Sequence, residues 1–155
     1  MGRRTGFTLV ELLMVVLIVS IMTLMAFPRA NSAINKSNLR SARTRLANML
    51  ATARAAATLD GRTNSWLRFN GNMAVVTASP RRQLPIGANT EDTLGVVFNV
   101  NTTYGAALTT GGVTAVQYDP RGMATGFASG GWYLKVSKGS YRDSLKVDQL
   151  GRVTK

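Results

Sequence analysis

The sequence contains neither cysteine nor histidine, and only 7 acidic residues stand against 19 lysines and arginines. Without thiols there are no disulfides, and without thiols or imidazoles there is no Cys/His zinc site, cysteine nucleophile or histidine base. Asp119, Asp143 and Asp148 offer no pair at metal-binding or hydrolase spacing. An enzyme is therefore not expected, and neither a metal nor a cofactor is called for. The missing cysteines leave the compartment open, because an exported domain of this size is stable without a bridge. Charged residues make up only 17% of the 155 and hydrophobic ones 45%, which excludes a solvated disordered chain and predicts one folded domain with a sizeable core. The net charge of +12 favours polyanionic partners.

Apolarity is concentrated at the N-terminus. Arg3 and Arg4 precede the 21 residues from Phe7 to Phe27, in which Glu11 is the only charge. A bilayer core of ~30 Å needs about 20 helical residues, so this run is long enough to span a membrane. The arginines on its short side place Met1 to Gly6 in the cytoplasm and send the rest outward. An ordinary secretory signal is the alternative, with Ala30-Asn31-Ser32-Ala33 imitating a cleavage site. Against it stand the length of the run and Glu11, since an ionised carboxylate near the membrane centre costs roughly 2.5–3.5 kcal/mol and calls for a cationic partner.

Gly6-Phe7-Thr8-Leu9-Val10-Glu11, followed by the apolar stretch from Leu12 to Ile18, resembles the class III signal of type IV pilins and type II secretion pseudopilins. The resemblance implies that a prepilin peptidase cleaves between Gly6 and Phe7 and methylates the new amine. It implies a 1–6 leader and a 7–28 segment that crosses the inner membrane before entering a filament core. Beside it stands a physical argument. When apolar helices bundle axially, a carboxylate one turn from a free amine meets the Phe7 amine of a neighbour, and two costly buried charges neutralise each other. Pro28 is expected to kink the helix, because proline removes a backbone hydrogen bond.

From Pro28 to about Leu59 the helical pattern turns amphipathic. Leu39, Ala42, Leu46, Met49, Ala53 and Ala56 form one apolar stripe expected to be core. Lys36, Arg40, Arg43 and Arg54 lie on a flank about 90° round from it, with Arg29 in line if the kink is mild. This flank reads either as a solvated face or as a strip facing phosphates. Asp60-Gly61 supplies a stop.

Residues 61–155 read as antiparallel β structure. Ser65 to Phe69 and Met73 to Thr77 flank Asn70-Gly71, a strong hairpin signal. Further runs are Gly95 to Val100, Val113 to Tyr118, Trp132 to Ser137 and Ser144 to Val147, and Pro80 to Asp92, with Arg81, Arg82 and Pro85, reads as a long loop. Asp119-Pro120-Arg121-Gly122 suits a type I turn. The fold class is thus α+β: a long N-terminal helix, with 29–60 as its amphipathic half, packed on an antiparallel sheet domain. Asn35-Lys36-Ser37 and Asn101-Thr102-Thr103 match the glycosylation pattern incidentally.

The stretch from Tyr118 to Gly126, then Trp132 to Ser137, Ser144 to Val147 and Gly151-Arg152-Val153, is similar to the C-terminal half of GspH/FimT minor pilins and pseudopilins. The resemblance implies the pilin fold and a minor subunit of a type IV pilus or its tip complex, or alternatively a pseudopilin in protein export. Its partners would be other pilin subunits, the prepilin peptidase, an inner-membrane assembly platform and the membrane before assembly. The subunit would be anchored in the inner membrane by a single pass, then displayed on a cell-surface pilus or a periplasmic pseudopilus. Some FimT-like pilins serve DNA uptake in natural transformation through a basic tail. Here the tail has Arg152 and Lys155, with Thr154 where a Gly-Arg-Xaa-Arg tail has its second base, and Arg142 and Lys146 nearby. DNA is therefore a candidate partner, with Trp66, Trp132, Tyr133 and Tyr141 as candidate stacking surfaces.

Overall fold

The computed structural model of the chain describes residues 7–59, 64–79 and 91–154. The chain falls into two compact units, Met1–Lys36 and Ser37–Lys155. Helix α1, Leu9–Leu59, begins in the first and ends in the second.

In the first unit, α1 starts where Thr8 stops it from fraying. The Thr8 hydroxyl accepts the Glu11 backbone N–H at 3.3 Å, and the spacing Thr8-x-x-Glu11 is that of a capping box. The hydroxyls of Ser20 and Thr23 donate to the carbonyls of Val16 and Val19, both at 2.7 Å, so these polar groups are satisfied within the apolar stretch. The helix continues through Pro28. An 18-residue window of α1 has a mean hydropathy of 2.6 with none of it buried, long and apolar enough to cross a membrane.

In the second unit, the rest of α1 buries Leu39, Ala42, Leu46, Leu50, Ala53, Ala56 and Ala57. The expected stripe is corrected at one position: Leu50 is fully buried and Met49 is only partly so. Both fit steps of three and four, and the sheet decides between them. The Asp60-Gly61 stop lies outside the described residues.

Against this helix stand two antiparallel sheets rather than one. The first has the order β3-β2-β1-β6-β7, with β4 also paired to β2, and the second the order β10-β9-β8-β5. Their strands are β1 Ser65–Asn70, β2 Met73–Ala78, β3 Asp92–Thr93, β4 Phe98–Asn99, β5 Ala107–Thr109, β6 Ala115–Tyr118, β7 Ala124–Thr125, β8 Trp132–Lys138, β9 Tyr141–Val147 and β10 Val153–Thr154. The first hairpin pairs Asn70 with Met73, so its turn is centred on Gly71-Asn72, one residue later than expected. Gly71 takes φ 57, which suits glycine at the first central position.

The run Gly95 to Val100 is not one strand. Only Phe98–Asn99 pairs with β2, and Val100–Tyr104 forms a short helix, α2. The Asn99 side chain accepts the N–H groups of Asn101 and Thr102 at 3.0 and 3.2 Å, and Gly105 ends the helix at φ 62. This local capping outweighs the β propensity of the sequence. Asp92, assigned to the long loop, opens β3; residues 80–90, with Arg81, Arg82 and Pro85, lie outside the described residues. Leu46, Leu50, Leu67, Val116, Leu134 and Val136 join helix and both sheets in one core, in which the rings of Phe69 and Trp132 are 5.4 Å apart.

Two turns of the same design close the sheet ends. Asp119 accepts the Gly122 N–H through its carbonyl at 2.9 Å and the Met123 N–H through its carboxylate at 2.8 Å. Asp148 does the same for Gly151, at 3.0 Å, and Arg152, at 2.8 Å. Ala124 N–H donates to the Gln149 carbonyl at 2.9 Å, stitching one turn to the other and so the first sheet to the second.

Beside these turns the Tyr118 hydroxyl is, among the described residues, the one buried side-chain polar atom without a partner. Burial, ahead of a smaller opposing effect of Arg54, pushes its pKa up to about 12. Tyr118→Phe is accordingly expected to stay within about 1 kcal/mol of the native stability at neutral pH in a denaturant titration, because no hydrogen bond is lost. The sign at high pH follows from linkage. Above pH 10.0 the unfolded tyrosine ionises while the folded one stays neutral, so native stability falls as pH rises, and the Phe variant lacks that part of the fall.

Candidate functional site

Two groups of residues bear on function, one in each unit. In the first, Phe7 lies two residues before α1 and Glu11 on its opening turn, where Phe7, Leu9, Val10, Leu12 and Leu13 expose 59–76% of their surface. The apolar side chains from Phe7 to Phe27 are exposed on all sides of the helix. A monomer in water would lose about 25 cal/mol for every Å² of this surface left uncovered, so the segment needs lipid or other apolar helices around it. Glu11 is the single charge in that wall. Gly6, the expected cleavage partner of Phe7, lies outside the described residues.

The second group is the basic residues, and the fold divides them. Arg43 leaves the helix flank to meet Asp143 of β9, Nη1 to Oδ2 at 3.1 Å, with both side chains largely covered. Arg54 packs against the twin turns, where its Nε is 2.9 Å from the position a Cβ on Gly122 would take. Arg152 is held by Asp148 at 2.9 Å, and its backbone N–H, ahead of its side chain, keeps the Asp148 carboxyl below the usual carboxylate range. Lys36 lies at the end of the first unit, Arg40 is exposed, and Lys155 is outside the described residues. The helix flank is therefore interrupted at Arg43 and Arg54, which serve contacts between helix and sheet.

Arg142 and Lys146 lie together on β9. Antiparallel register places Lys146 opposite Tyr133 and Ser137 opposite Arg142, on the side of the sheet turned away from the core. Of the four aromatic candidates, Trp132 is buried in the core and Tyr141 packs against it. Trp66 is half-buried with the Arg68 guanidinium 5.4 Å from its ring. Tyr133 alone of them is half exposed, at 50%, with Lys146 Nζ 5.7 Å from its ring centre. Sequence reading missed Lys135. The alternation in Trp132-Tyr133-Leu134-Lys135-Val136 was the signal, since period two puts Tyr133 and Lys135 on one face. Among the described residues no group of three acidic side chains is placed to hold a metal ion.

Residues 1–27 match the family model of the prokaryotic N-terminal methylation motif. No curated protein matches the chain. Among solved structures, the chain is similar to the type IV minor pilin FimU of Pseudomonas aeruginosa strain PAO1 in two crystal forms. The P21 form gives a TM-score of 0.55 at 15% identity, covering 77% of this chain and 88% of that one. The P65 form gives 0.51 at 17% identity, covering 75% and 90%. At such identity the likeness is one of fold. The chain thus carries the N-terminal methylation motif of prokaryotic prepilins and has the pilin fold, a long helix packed on an antiparallel sheet domain.

Proposed function

We propose that this chain is a minor type IV pilin that enters a pilus or its tip complex through the apolar half of α1. The observation that carries the reading is a bare apolar helix with one acid, Glu11, placed one turn behind Phe7 and behind a methylation motif. Prepilin peptidase cuts after Gly6 and methylates the Phe7 amine. The helix then holds the chain in the inner membrane by a single pass, with the sheet domain outside the cytoplasm. An assembly platform draws it into the filament, where Glu11 meets the amine of an adjoining subunit and fixes the axial register. Pro28 marks the depth at which the packed helix loosens.

The second reading, a pseudopilin acting in protein export, shares this helix. The pilus role is favoured by the FimU likeness, because the protein of similar fold is a pilus subunit. Intact mass measurement of the membrane-extracted protein tests the processing step. The expected mass lacks Met1 to Gly6 and has one methyl added at Phe7. A mature start near Ala30 or Ser32 would identify an ordinary secreted protein instead.

A further inference from the structure

A groove runs along α1 beside the first sheet. Its helical wall is Arg40, Thr44, Asn48 and Thr52, four apart in sequence and so one above another at steps of about 6 Å. Its floor is Met49, Val76, Leu94 and Tyr104, all buried or partly buried. The opposite lip is the segment between β3 and β4, where Val96 is 81% and Val97 52% exposed. The space between the walls is about 600 Å³. Two cations border it: Arg40, which is exposed, and Arg45, whose guanidinium lies 5.3 Å from the Phe98 ring centre. No carboxylate lines the groove, and among the described residues no ion pair engages either arginine.

We infer that this groove docks an extended, acidic segment of a different protein, with its carboxylates on Arg40 and Arg45 and its apolar side chains on Met49 and Leu94. An apolar floor of Met and Tyr with arginines at its rim is the composition of a protein contact. Side chains on one face of a strand recur at about 7 Å, close to the steps of the helical wall, and the Asn48 amide can both donate to and accept from a backbone lying there. A nucleic acid or polysaccharide would satisfy the two arginines and leave the apolar lip uncovered. A second copy of this chain is a poor occupant. Of its described carboxylates outside α1, Glu91 is held by Arg68, Asp143 by Arg43 and Asp148 by Arg152. Asp119 accepts the N–H groups of its own turn, and Asp92 is also engaged. A copy would bring its charge of +12 against arginines with no acid to spare. Residues 80–90 of the same chain carry Arg81 and Arg82 and no acid, which is the wrong sign. The groove's demand for an acidic partner stands on these side chains alone. That the partner is a neighbouring subunit, more acidic than this one, rests on the pilin reading.

The test is photo-crosslinking in cells that make the filament, from full-length chain carrying Val96→p-benzoylphenylalanine, with adducts from membrane and sheared filaments identified by mass spectrometry. The expected adduct joins Val96 to a different protein, on a segment containing Asp or Glu. Arg45→Glu should cut its yield about tenfold or more, because like charges then face each other, and replacing the partner's acid by lysine should restore it. Arg40→Glu should act in the same direction. Both arginines are exposed, and unchanged amounts of chain in the membrane will verify that the variants fold. The inference is overturned by an adduct to a second copy or within the chain, by a yield indifferent to both reversals, or by no adduct where the chain is present. An acidic partner captured in the membrane while the chain never reaches filaments would uphold the groove and remove the pilin reading.

Discussion

Glu11→Gln is expected to leave the chain processed and in the membrane, yet to cut its recovery in filaments sheared from cells by more than tenfold. Two accounts of Glu11 compete. In the local one it completes the first turn of α1, where Thr8 already accepts its backbone N–H. That bond survives any side-chain change, and a carboxylate at a helix start adds only about 0.3–1 kcal/mol through the helix dipole. Glutamine also serves the third helical position of a capping box, so the local account expects almost no loss from this variant. In the pairing account, glutamine strands the neighbour's amine among apolar helices. Removing one partner of a buried ion pair costs roughly 3–5 kcal/mol, a factor of at least a hundred in an association equilibrium. Glu11→Asp keeps the charge on a shorter stem and should fall between. The measurement is the ratio of this chain in sheared filaments to that in the membrane fraction.

The second large effect is in the sheet unit. Gly151→Ala should destabilise it by about 3 kcal/mol or more in denaturant unfolding. Gly151 has φ 71, and a Cβ there would sit 2.3 Å from the Gly122 carbonyl oxygen and 3.1 Å from Tyr118 Cε1. The obstacle is backbone of the opposing turn, which the Ala124 to Gln149 hydrogen bond holds in place. Gly139→Ala is the internal control. Its φ of 59 is similar, but a Cβ there meets nothing within 4 Å, so it should cost only the 1–2 kcal/mol of a left-handed alanine. Equal losses for the two variants would show that the close approach of the twin turns contributes little.

Long, regular elements were readable from the sequence and short ones were not. The continuous apolarity from Phe7 and the three-and-four spacing beyond Pro28 announced α1. Alternation and Asn70-Gly71 announced the β1–β2 hairpin, and the run from Trp132 announced β8, whereas β9 was expected only from Ser144 and begins at Tyr141. Strands of two or three residues, such as β3, β5, β7 and β10, have no period to read. They exist because a longer neighbour offers them an edge. Helix α2 has a β-like sequence and depends on the Asn99 cap. Among candidate site residues, the Gly6-Phe7 to Glu11 pattern is local and therefore visible. The basic residues are not, because their partners lie far along the chain: Arg43 meets Asp143, 100 positions away. Net charge told that the surface is cationic, but only register told which cations share a face.

The central claim is that α1 carries this chain into a filament after Phe7 has become its first residue. Quantitative peptide mass spectrometry of purified sheared filaments tests it most directly. The account predicts peptides of this chain in the filament fraction, with N-methylated Phe7 as their first residue and in smaller amount than the main subunit. Absence from filaments while the processed chain is abundant in the membrane, or a filament form that still begins at Met1, would contradict it.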